Sequence, residues 1–182
     1  MPHIELPEGL PGIIGPMVAY PEAEKHLNGL ADMMLRGPSS LSPGERETIA
    51  AYVSSGCRCS FCTLLHASTA RHLLGNASEL VDSVLSGGSQ APVDAKLRAL
   101  LEIADKVRVD GRLVTAEDIA RARKAGADDK AIHDTVLIAA AFCMYSRYVD
   151  GLATWAPEGR EAYEEMGAQL AEKGYARTIR GF

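Results

Sequence analysis

The sequence predicts an all-α protein folded as a single compact domain. Apolar residues make up 47% of its 182 residues, whereas aromatic residues make up only 5%. A composition that is rich in alanine and leucine but poor in aromatic residues is typical of packed helices and not of a β-sandwich. Apolar residues also recur at helical spacing, as in Leu97, Leu101 and Ala104. No segment of useful length alternates apolar and polar residues as a half-buried strand would.

The first residues, 1–20, are expected to form an extended arm without a helix. They are rich in proline and glycine, which interrupt helices. Apolar side chains such as Ile13 and Ile14 are nevertheless too numerous for a free tail, so the arm should lie on the domain or on a neighbouring subunit. Residues 21–174 are then predicted to form the helical domain, and residues 175–182 a C-terminal tail.

Proline, glycine and capping residues divide the domain into helical segments. The clearest start is at Ser42, because Pro43 occupies the first helical position and Glu45 lies three residues after the cap. Thr115 with Asp118 repeats this capping-box pattern. The expected segments are Pro21 to Leu35, Ser42 to Ser55, Cys59 to Leu74, Ala77 to Leu85, Pro92 to Asp110, Thr115 to Gly126, Lys130 to Trp155, and Pro157 to the residue before Gly174. Residues 136–144 are apolar on all sides, which predicts a buried central helix.

Charge and hydropathy exclude several classes of function. The net charge is −5 and no basic cluster occurs, so binding to nucleic acid is not expected. No apolar run reaches the roughly 18 residues of a membrane span. The N-terminal residues lack the basic start and apolar middle of a secretory signal. We therefore expect a cytoplasmic protein that acts neither on nucleic acid nor in a membrane.

The four cysteines point to redox chemistry or to metal binding. Cys57, Cys59 and Cys62 lie within six residues, and Cys143 lies far from them. A secreted disulfide framework would spread its cysteines along the chain, whereas a cluster in a cytosolic protein suggests a reactive thiol or a metal site. Cys143 falls in the most apolar segment and is expected to be a core residue. Cys57 is either a surface residue or an accessory to the main pair.

The C-x-x-C pair formed by Cys59 and Cys62 stands at the predicted start of a helix. Two cysteines spaced in this way can close a disulfide across one helical turn, and the helix dipole there favours a thiolate, which is the reactive form. His66 follows Cys62 by four residues and shares its helical stripe. An imidazole in that place can take a proton from a thiol or return one to a leaving group.

Glu47 is the candidate partner of that histidine. Glu45 is accounted for by the capping box, but Glu47 has no such role. The residues that follow Glu47 on its own stripe, Ala50, Ala51 and Ser54, are all small, so another helix can approach that face closely. A carboxylate there could hold the imidazole or relay its proton; the alternative is a solvated charge.

Together these residues resemble a known family. Glu47, a step of twelve residues to Cys59, the sequence Cys59-Ser60-Phe61-Cys62, and then His66 resemble the AhpD-like alkylhydroperoxidases of the carboxymuconolactone decarboxylase superfamily, in particular the peroxidase-related branch. Weaker family marks lie in residues 114–126 and 142–152. The chain departs from the family at Phe61, where a second histidine is common, at Cys143, where asparagine is common, and by the addition of Cys57.

The resemblance implies a fold, a mechanism and partners. The fold would be an AhpD-like helical bundle assembled as a homo-oligomer, from dimer to hexamer. Cys62 would be the peroxidatic cysteine that reacts with a peroxide substrate to give a sulfenic acid, and Cys59 the resolving cysteine that converts it to a disulfide. Glu47 and His66 would relay the proton. An external dithiol on a lipoylated or thioredoxin-like protein would reduce the disulfide, without metal or organic cofactor.

Other functions stay open at this point. A carboxymuconolactone decarboxylase-like lyase would need acid–base groups but no disulfide, so the cysteine pair argues against it. A disulfide reductase or redox sensor would use the same thiols without meeting peroxide. A zinc-binding module could draw four ligands from Cys57, Cys59, Cys62 and His66, although structural zinc sites usually take them from two separated pairs. Arg147 and Asp150 either pair with each other or line the site.

Overall fold

The computed structural model describes residues 1–175, and every regular element within them is helical, as the sequence predicts. The predicted C-terminal tail, residues 175–182, therefore lies outside the described residues except for Tyr175. The α-helices of the described part, some of them joined by short 3-10 turns, are α1 Ile14–Ala19, α2 Pro21–Arg36, α3 Pro43–Gly56, α4 Ser60–Leu74, α5 Glu79–Gly87, α6 Ala95–Val109, α7 Ala116–Lys124, α8 Asp129–Gly151 and α9 Glu164–Lys173. In this part of the chain, no helix is long and apolar enough to cross a membrane.

Both predicted capping boxes are confirmed. The Ser42 hydroxyl accepts a hydrogen bond from the backbone N–H of Glu45 at 3.2 Å, and the Glu45 carboxylate accepts one from the backbone N–H of Ser42 at 2.7 Å. Thr115 and Asp118 make the same reciprocal pair at the start of α7. Each cap satisfies backbone donors that the helix cannot, which is worth about 1 kcal/mol. Local sequence thus fixes where α3 and α7 begin.

The expectation that residues 1–20 contain no helix is wrong at α1. The proline in this helix, Pro16, lies in its first turn, where the missing N–H would have had no intrahelical acceptor in any case. Two further side chains of the helix, Ile14 and Met17, are buried. The rest of the arm is irregular and is held to the chain's own domain, because the backbone N–H of Gly12 donates to the carbonyl of Trp155 at 2.6 Å.

Three helix boundaries also differ from the prediction. The helix α6 begins at Ala95 and not at Pro92, because the Asp94 side chain caps it by accepting from the Leu97 N–H at 2.7 Å. The central helix α8 ends at Gly151, before Trp155, and the backbone soon afterwards takes a positive φ of 49° at Ala153. The last helix begins after residue 160, because Gly159 has a φ of 80° that an α-helix does not accommodate.

The helices α3 and α4 pack against each other along small side chains. Ala51, Ala67 and Ala70 are fully buried in one cluster, as the stripe of small residues after Glu47 predicts. The tight turn between the two helices requires a positive φ of 65° at Arg58. This hairpin brings the inner part of α3 against α4, the helix that begins at the cysteine pair.

The central helix α8 lies against α3, α4 and α6. Side chains such as Ile138 and Phe142 are buried on its inner face, but Met144 is 42% exposed, so burial on all sides is not observed. On the other side of α4 lies α9, at Gly167. A Cβ atom on Gly167 would lie 2.3 Å from the Ser68 hydroxyl, so only glycine allows the two helices to come this close.

Candidate active site

The cysteine pair lies where α4 begins. Cys59 is the N-cap residue of α4 and Cys62 is in its first turn. All four cysteines of the chain are free thiols. Both members of the pair are buried, with 1% of Cys59 and 3% of Cys62 exposed, but Cys62 lines an internal cavity whereas Cys59 does not. Of the two cysteines, Cys62 is therefore the one that a small molecule in the cavity contacts.

The two sulfurs influence each other's ionisation. Hydrogen bonding from the Cys62 thiol lowers the pKa of Cys59 despite its burial, and the backbone N–H of Cys62 adds to this effect. The pKa of Cys62 is raised well above its usual value, first by this hydrogen bond to Cys59 and then by burial. Of the two thiols, Cys59 is therefore the more acidic.

Two residues of α8 complete the surroundings of the pair. The Asp150 carboxylate raises the pKa of both Cys59 and Cys62, because its negative charge disfavours a thiolate on either sulfur. The buried Ser146 hydroxyl has no hydrogen-bond partner among the described residues, but it lies close enough to Cys62 to lower the pKa of that cysteine. Asp150 therefore acts on the reactive pair without lining the cavity, and within residues 1–175 no ion pair joins it to Arg147.

His66 and Glu47 are in direct contact. The Nδ1 atom of His66 lies 2.7 Å from Oε2 of Glu47, and the carboxylate is fully buried. When Nδ1 carries the hydrogen and donates it to Glu47, the other ring nitrogen, Nε2, is left to exchange a proton. His66 lines the same cavity as Cys62, one helical turn further along α4. Of the four predicted site residues, Cys62 and His66 therefore line one cavity, Glu47 holds the imidazole from outside that lining, and Cys59 interacts with Cys62.

Two further residues bind the Glu47 carboxylate, and neither was predicted from the sequence. Arg36, at the end of α2, places Nη2 2.7 Å from Oε1 of Glu47. The hydroxyl of Tyr175, which follows α9, donates to the same oxygen at 2.6 Å and lies 3.1 Å from Nδ1 of His66. The guanidinium of Arg36 also stacks over the Tyr175 ring, 5.1 Å from its centroid. The carboxylate is therefore held by three donors.

These donors keep the buried carboxylate ionised. Burial alone would raise the pKa of Glu47, but the charge and hydrogen bonds of His66, the charge of Arg36 and the hydrogen bond of Tyr175 outweigh it, so that its pKa is lowered. Burial and the adjacent Glu47 raise the pKa of Tyr175 well above its usual value, so the phenol remains a donor. The group is thus a fixed negative charge behind the imidazole.

The cavity itself is small and apolar, with a volume of about 70 Å³. Apart from Cys62, His66 and the side chains of Asn28 and two tyrosines, its wall consists of aliphatic, methionine and phenylalanine side chains. The N-terminal arm supplies one side of this wall through Ile13, Ile14 and Met17. An apolar wall of this kind accommodates the carbon chain of a ligand, while the thiol and the imidazole are the groups available for chemistry.

The four possible zinc ligands do not converge. The sulfur of Cys57 lies 3.7 Å from that of Cys143, away from the reactive pair, and Nδ1 of His66 is engaged by Glu47. Within residues 1–175, no three histidine, cysteine or acidic side chains come together as a metal ion would require. The geometry of the donor set therefore does not fit a tetrahedral zinc site.

Solved structures of similar shape identify the fold. A peroxidase-related protein from Silicibacter sp. TM1040 is 25% identical, with a TM-score of 0.74 over 93% of this chain and 81% of its own. A Ralstonia eutropha JMP134 protein, described as an alkylhydroperoxidase AhpD core and uncharacterized peroxidase-related protein, is 23% identical, with a TM-score of 0.76 over 87% of this chain and 81% of its own. This chain has the AhpD-like fold. The resemblance drawn from the cysteine motif is thereby confirmed.

A third AhpD-like structure agrees with the first two. It is a protein of unknown function from Agrobacterium tumefaciens whose name refers to antioxidant defence and to AhpD. It is 22% identical, with a TM-score of 0.67, over 79% of this chain and 97% of its own. No protein-family model matches the sequence, and no curated protein is significantly similar to it. The assignment to the AhpD-like fold therefore rests on three-dimensional structure.

Proposed function

We propose that this AhpD-like protein is a thiol peroxidase that reduces hydrogen peroxide or small organic hydroperoxides. The observation that carries the proposal is the shared cavity: Cys62 and His66 both line it, and Glu47 fixes the imidazole from behind. A nucleophile, a proton-transfer group and an orienting carboxylate are thus arranged around a space into which a small molecule fits. The peroxidase-related and antioxidant names of the structural neighbours agree with this chemistry.

In the first step, the Cys62 sulfur attacks the terminal oxygen of the hydroperoxide. The S–O bond forms as the O–O bond breaks, so that the sulfur is oxidised to a sulfenic acid and the peroxide is reduced to an alcohol, or to water. When Cys59 is ionised, its sulfur accepts the proton of the Cys62 thiol, since the hydrogen bond between the two sulfurs lowers the pKa of Cys59. Cys59 therefore acts as the local base that makes Cys62 nucleophilic despite its raised pKa.

The leaving alkoxide needs a proton, which Nε2 of His66 would supply. Glu47 accepts from Nδ1 and so stabilises the charged imidazolium that donates. Arg36 and Tyr175 keep that carboxylate ionised and stationary. The Ser146 hydroxyl, which lowers the pKa of Cys62, would donate to that sulfur while it carries negative charge.

In the second step, the Cys59 sulfur attacks the sulfenic acid of Cys62, and water leaves as the disulfide forms. An external dithiol then reduces this disulfide by two thiol–disulfide exchanges, which returns both cysteines to thiols. The proposed reductant is a lipoylated or thioredoxin-like protein. Because this cycle needs a reducing compartment, we propose that the protein works in the cytoplasm, as a homo-oligomer of dimer to hexamer size.

The cavity disfavours the lyase alternative. A carboxylated lactone substrate would require a positively charged side chain at the site, but within residues 1–175 neither arginine nor lysine lines the cavity. The nearby Arg36 is engaged with Glu47 outside that lining. The redox pair and the apolar wall instead suit an uncharged hydroperoxide.

Steady-state consumption of cumene hydroperoxide with dithiothreitol tests the proposal. We expect wild type to turn over and Cys62→Ser and Cys59→Ser to lose turnover. Glu47→Gln and His66→Phe should each slow the oxidation step by about 100-fold, a usual size for a general acid–base group. The matched control is His72→Phe, also on α4 but directed to Glu164 at the surface, and it should keep the wild-type rate. Undiminished turnover in Cys62→Ser would exclude the mechanism.

A further inference from the structure

The two cysteines outside the reactive pair contact each other. The sulfur of Cys57, at the C-terminal end of α3, lies 3.7 Å from the sulfur of Cys143 in the middle of α8, although 86 positions separate them in the sequence. Cys143 is buried with 5% exposure and also lies 3.8 Å from the backbone carbonyl of Arg108. Cys57 is only partly buried. One sulfur of this contact is therefore accessible from solvent, and the other lies directly behind it.

We propose that Cys57 and Cys143 form a second redox site, which low-molecular-weight disulfides such as glutathione disulfide oxidise to an internal disulfide. A disulfide bond is about 2.05 Å long, so the two sulfurs must approach by about 1.7 Å from their observed contact. The partly exposed Cys57 admits a small disulfide, and the buried Cys143 can reach only Cys57. This site is independent of the proposed peroxidase function, because it uses neither sulfur of the reactive pair.

The chemistry is two successive thiol–disulfide exchanges. The Cys57 thiolate attacks one sulfur of glutathione disulfide, which forms a mixed disulfide and releases one glutathione thiolate. The Cys143 thiolate then attacks the Cys57 sulfur of that mixed disulfide and releases the second glutathione. Two protein thiols are oxidised, two glutathiones are formed, and the two protons go to solvent or to the leaving thiolates.

The groups around Cys57 set the rate of this reaction. Burial and the adjacent Cys143 raise the pKa of Cys57 to about 11, whereas the guanidinium groups of Arg108 and Arg147 lower it in part. Little thiolate is therefore present near neutrality, and direct oxidation is slow at rest. The rate of the first exchange should rise about tenfold per pH unit below that pKa, because it follows the thiolate fraction.

Closing this disulfide would tie the start of the reactive segment to the central helix. Cys57 is followed by Arg58, whose positive φ of 65° makes the turn into α4, and then by Cys59. Cys143 stands on α8, the helix that also carries Ser146 and Asp150 beside the reactive pair. The second site thus joins the two elements that flank the first.

The test uses Cys59→Ser/Cys62→Ser, in which only the second pair remains. We expect incubation with glutathione disulfide at pH 8.5 to give a protein lighter by two hydrogens, without a glutathione adduct, on intact-mass analysis. The matched control adds Cys143→Ala, which fills the buried position without a polar atom, and should retain a glutathione adduct at Cys57. A stable adduct in both proteins, or no reaction at Cys57 in either, would overturn the proposal.

A second measurement does not require the Cys143→Ala variant to fold well. The disulfide would close a loop of 86 positions, and a crosslink of that length should raise the melting temperature of the Cys59→Ser/Cys62→Ser protein by about 10 °C relative to its reduced form. The increase should disappear on addition of dithiothreitol and in the same protein with Cys57→Ser. An unchanged melting temperature after oxidation would contradict a disulfide between Cys57 and Cys143.

Discussion

The buried Glu47 carboxylate makes a specific prediction about the role of Arg36. The carboxylate is fully buried and receives three donors, of which Arg36 is an unambiguous cation, at 2.7 Å. In Arg36→Met the side chain remains similar in length and apolar, but the positive charge is lost. Glu47 must then keep its charge with fewer partners or take up a proton.

The size of the effect follows from this geometry. Removing one partner of a buried ion pair costs about 3 to 5 kcal/mol, because the other charge stays buried and uncompensated. The Arg36 side chain is 15% exposed, so water can partly replace it, and His66 and Tyr175 remain as donors. We therefore expect the free energy of unfolding to fall by an amount near the lower limit, about 3 kcal/mol at pH 7. This corresponds to a fall of roughly 6 to 12 °C in melting temperature.

A double-mutant cycle measured by urea unfolding isolates the interaction. Arg36→Met, Glu47→Gln and the double variant are compared with wild type at pH 7. Because Glu47→Gln removes the charge that Arg36 compensates, the double variant should be more stable than the sum of the two losses predicts, by about 2 kcal/mol. Losses that add to within about 0.5 kcal/mol would show that the two residues do not stabilise each other, and would refute the reasoning.

The same cycle has a pH dependence of defined sign. Burial raises the pKa of Glu47, but His66, Arg36 and Tyr175 together lower it below its ordinary value. A carboxyl group with a lowered pKa contributes stability above its unfolded-state value, about 4.3, and this contribution is lost as the pH falls through the folded-state value. The stability difference between wild type and Arg36→Met should therefore shrink in acid, and a difference that persists unchanged at pH 3 would contradict it.

Three further variants test other contacts of the site. Tyr175→Phe removes a donor to Glu47 and should cost about 1 to 2 kcal/mol in urea unfolding, while it slows peroxide oxidation in stopped-flow measurements; wild-type values for both would exclude a role for the hydroxyl. Ser146→Ala should raise the pKa of Cys62 further, seen as a shift to higher pH in its alkylation profile, and an identical profile would contradict the contact. Gly12→Ala places a Cβ atom 2.2 Å from the Phe61 ring at a φ of 53°, so we expect the arm to detach and limited proteolysis to cleave it faster; unchanged cleavage would show that the arm is not held there.

Features coded by neighbouring residues were predictable from the sequence. The capping boxes at Ser42 and Thr115 fix helix starts through contacts three residues apart. Cys59, Cys62 and His66 were likewise predictable, because spacings of three and four residues put them on one face of a helix. Glu47 could be chosen as a candidate because small residues follow it on its helical face. Its role as a proton relay remains a prediction. The C-terminal end of α8 and the start of α9 were missed, since backbone turns at residues 153 and 159 decide them.

Contacts between distant parts of the chain left no local signal. Tyr175 meets Glu47 across 128 positions, and nothing around Tyr175 distinguishes it from other tyrosines. Arg36 reads as an ordinary basic residue at the end of a helix, where such residues are common. The contact between Cys57 and Cys143 likewise exists only because α3 packs against α8. The tertiary structure was needed to find all three.

Trapping of the sulfenic acid in Cys59→Ser tests most directly whether Cys62 meets the peroxide in the cavity. One equivalent of cumene hydroperoxide is added to the reduced variant with dimedone present, and the modified peptide is identified by mass spectrometry. Because the resolving sulfur is absent, the dimedone adduct should accumulate on Cys62, although more slowly than wild type is oxidised, since Cys59 no longer takes the thiol proton. Cys62→Ser treated in the same way should carry none on Cys59. An adduct on Cys59 in Cys62→Ser, with Cys62 unmodified in Cys59→Ser, would contradict the assignment of the attacking sulfur.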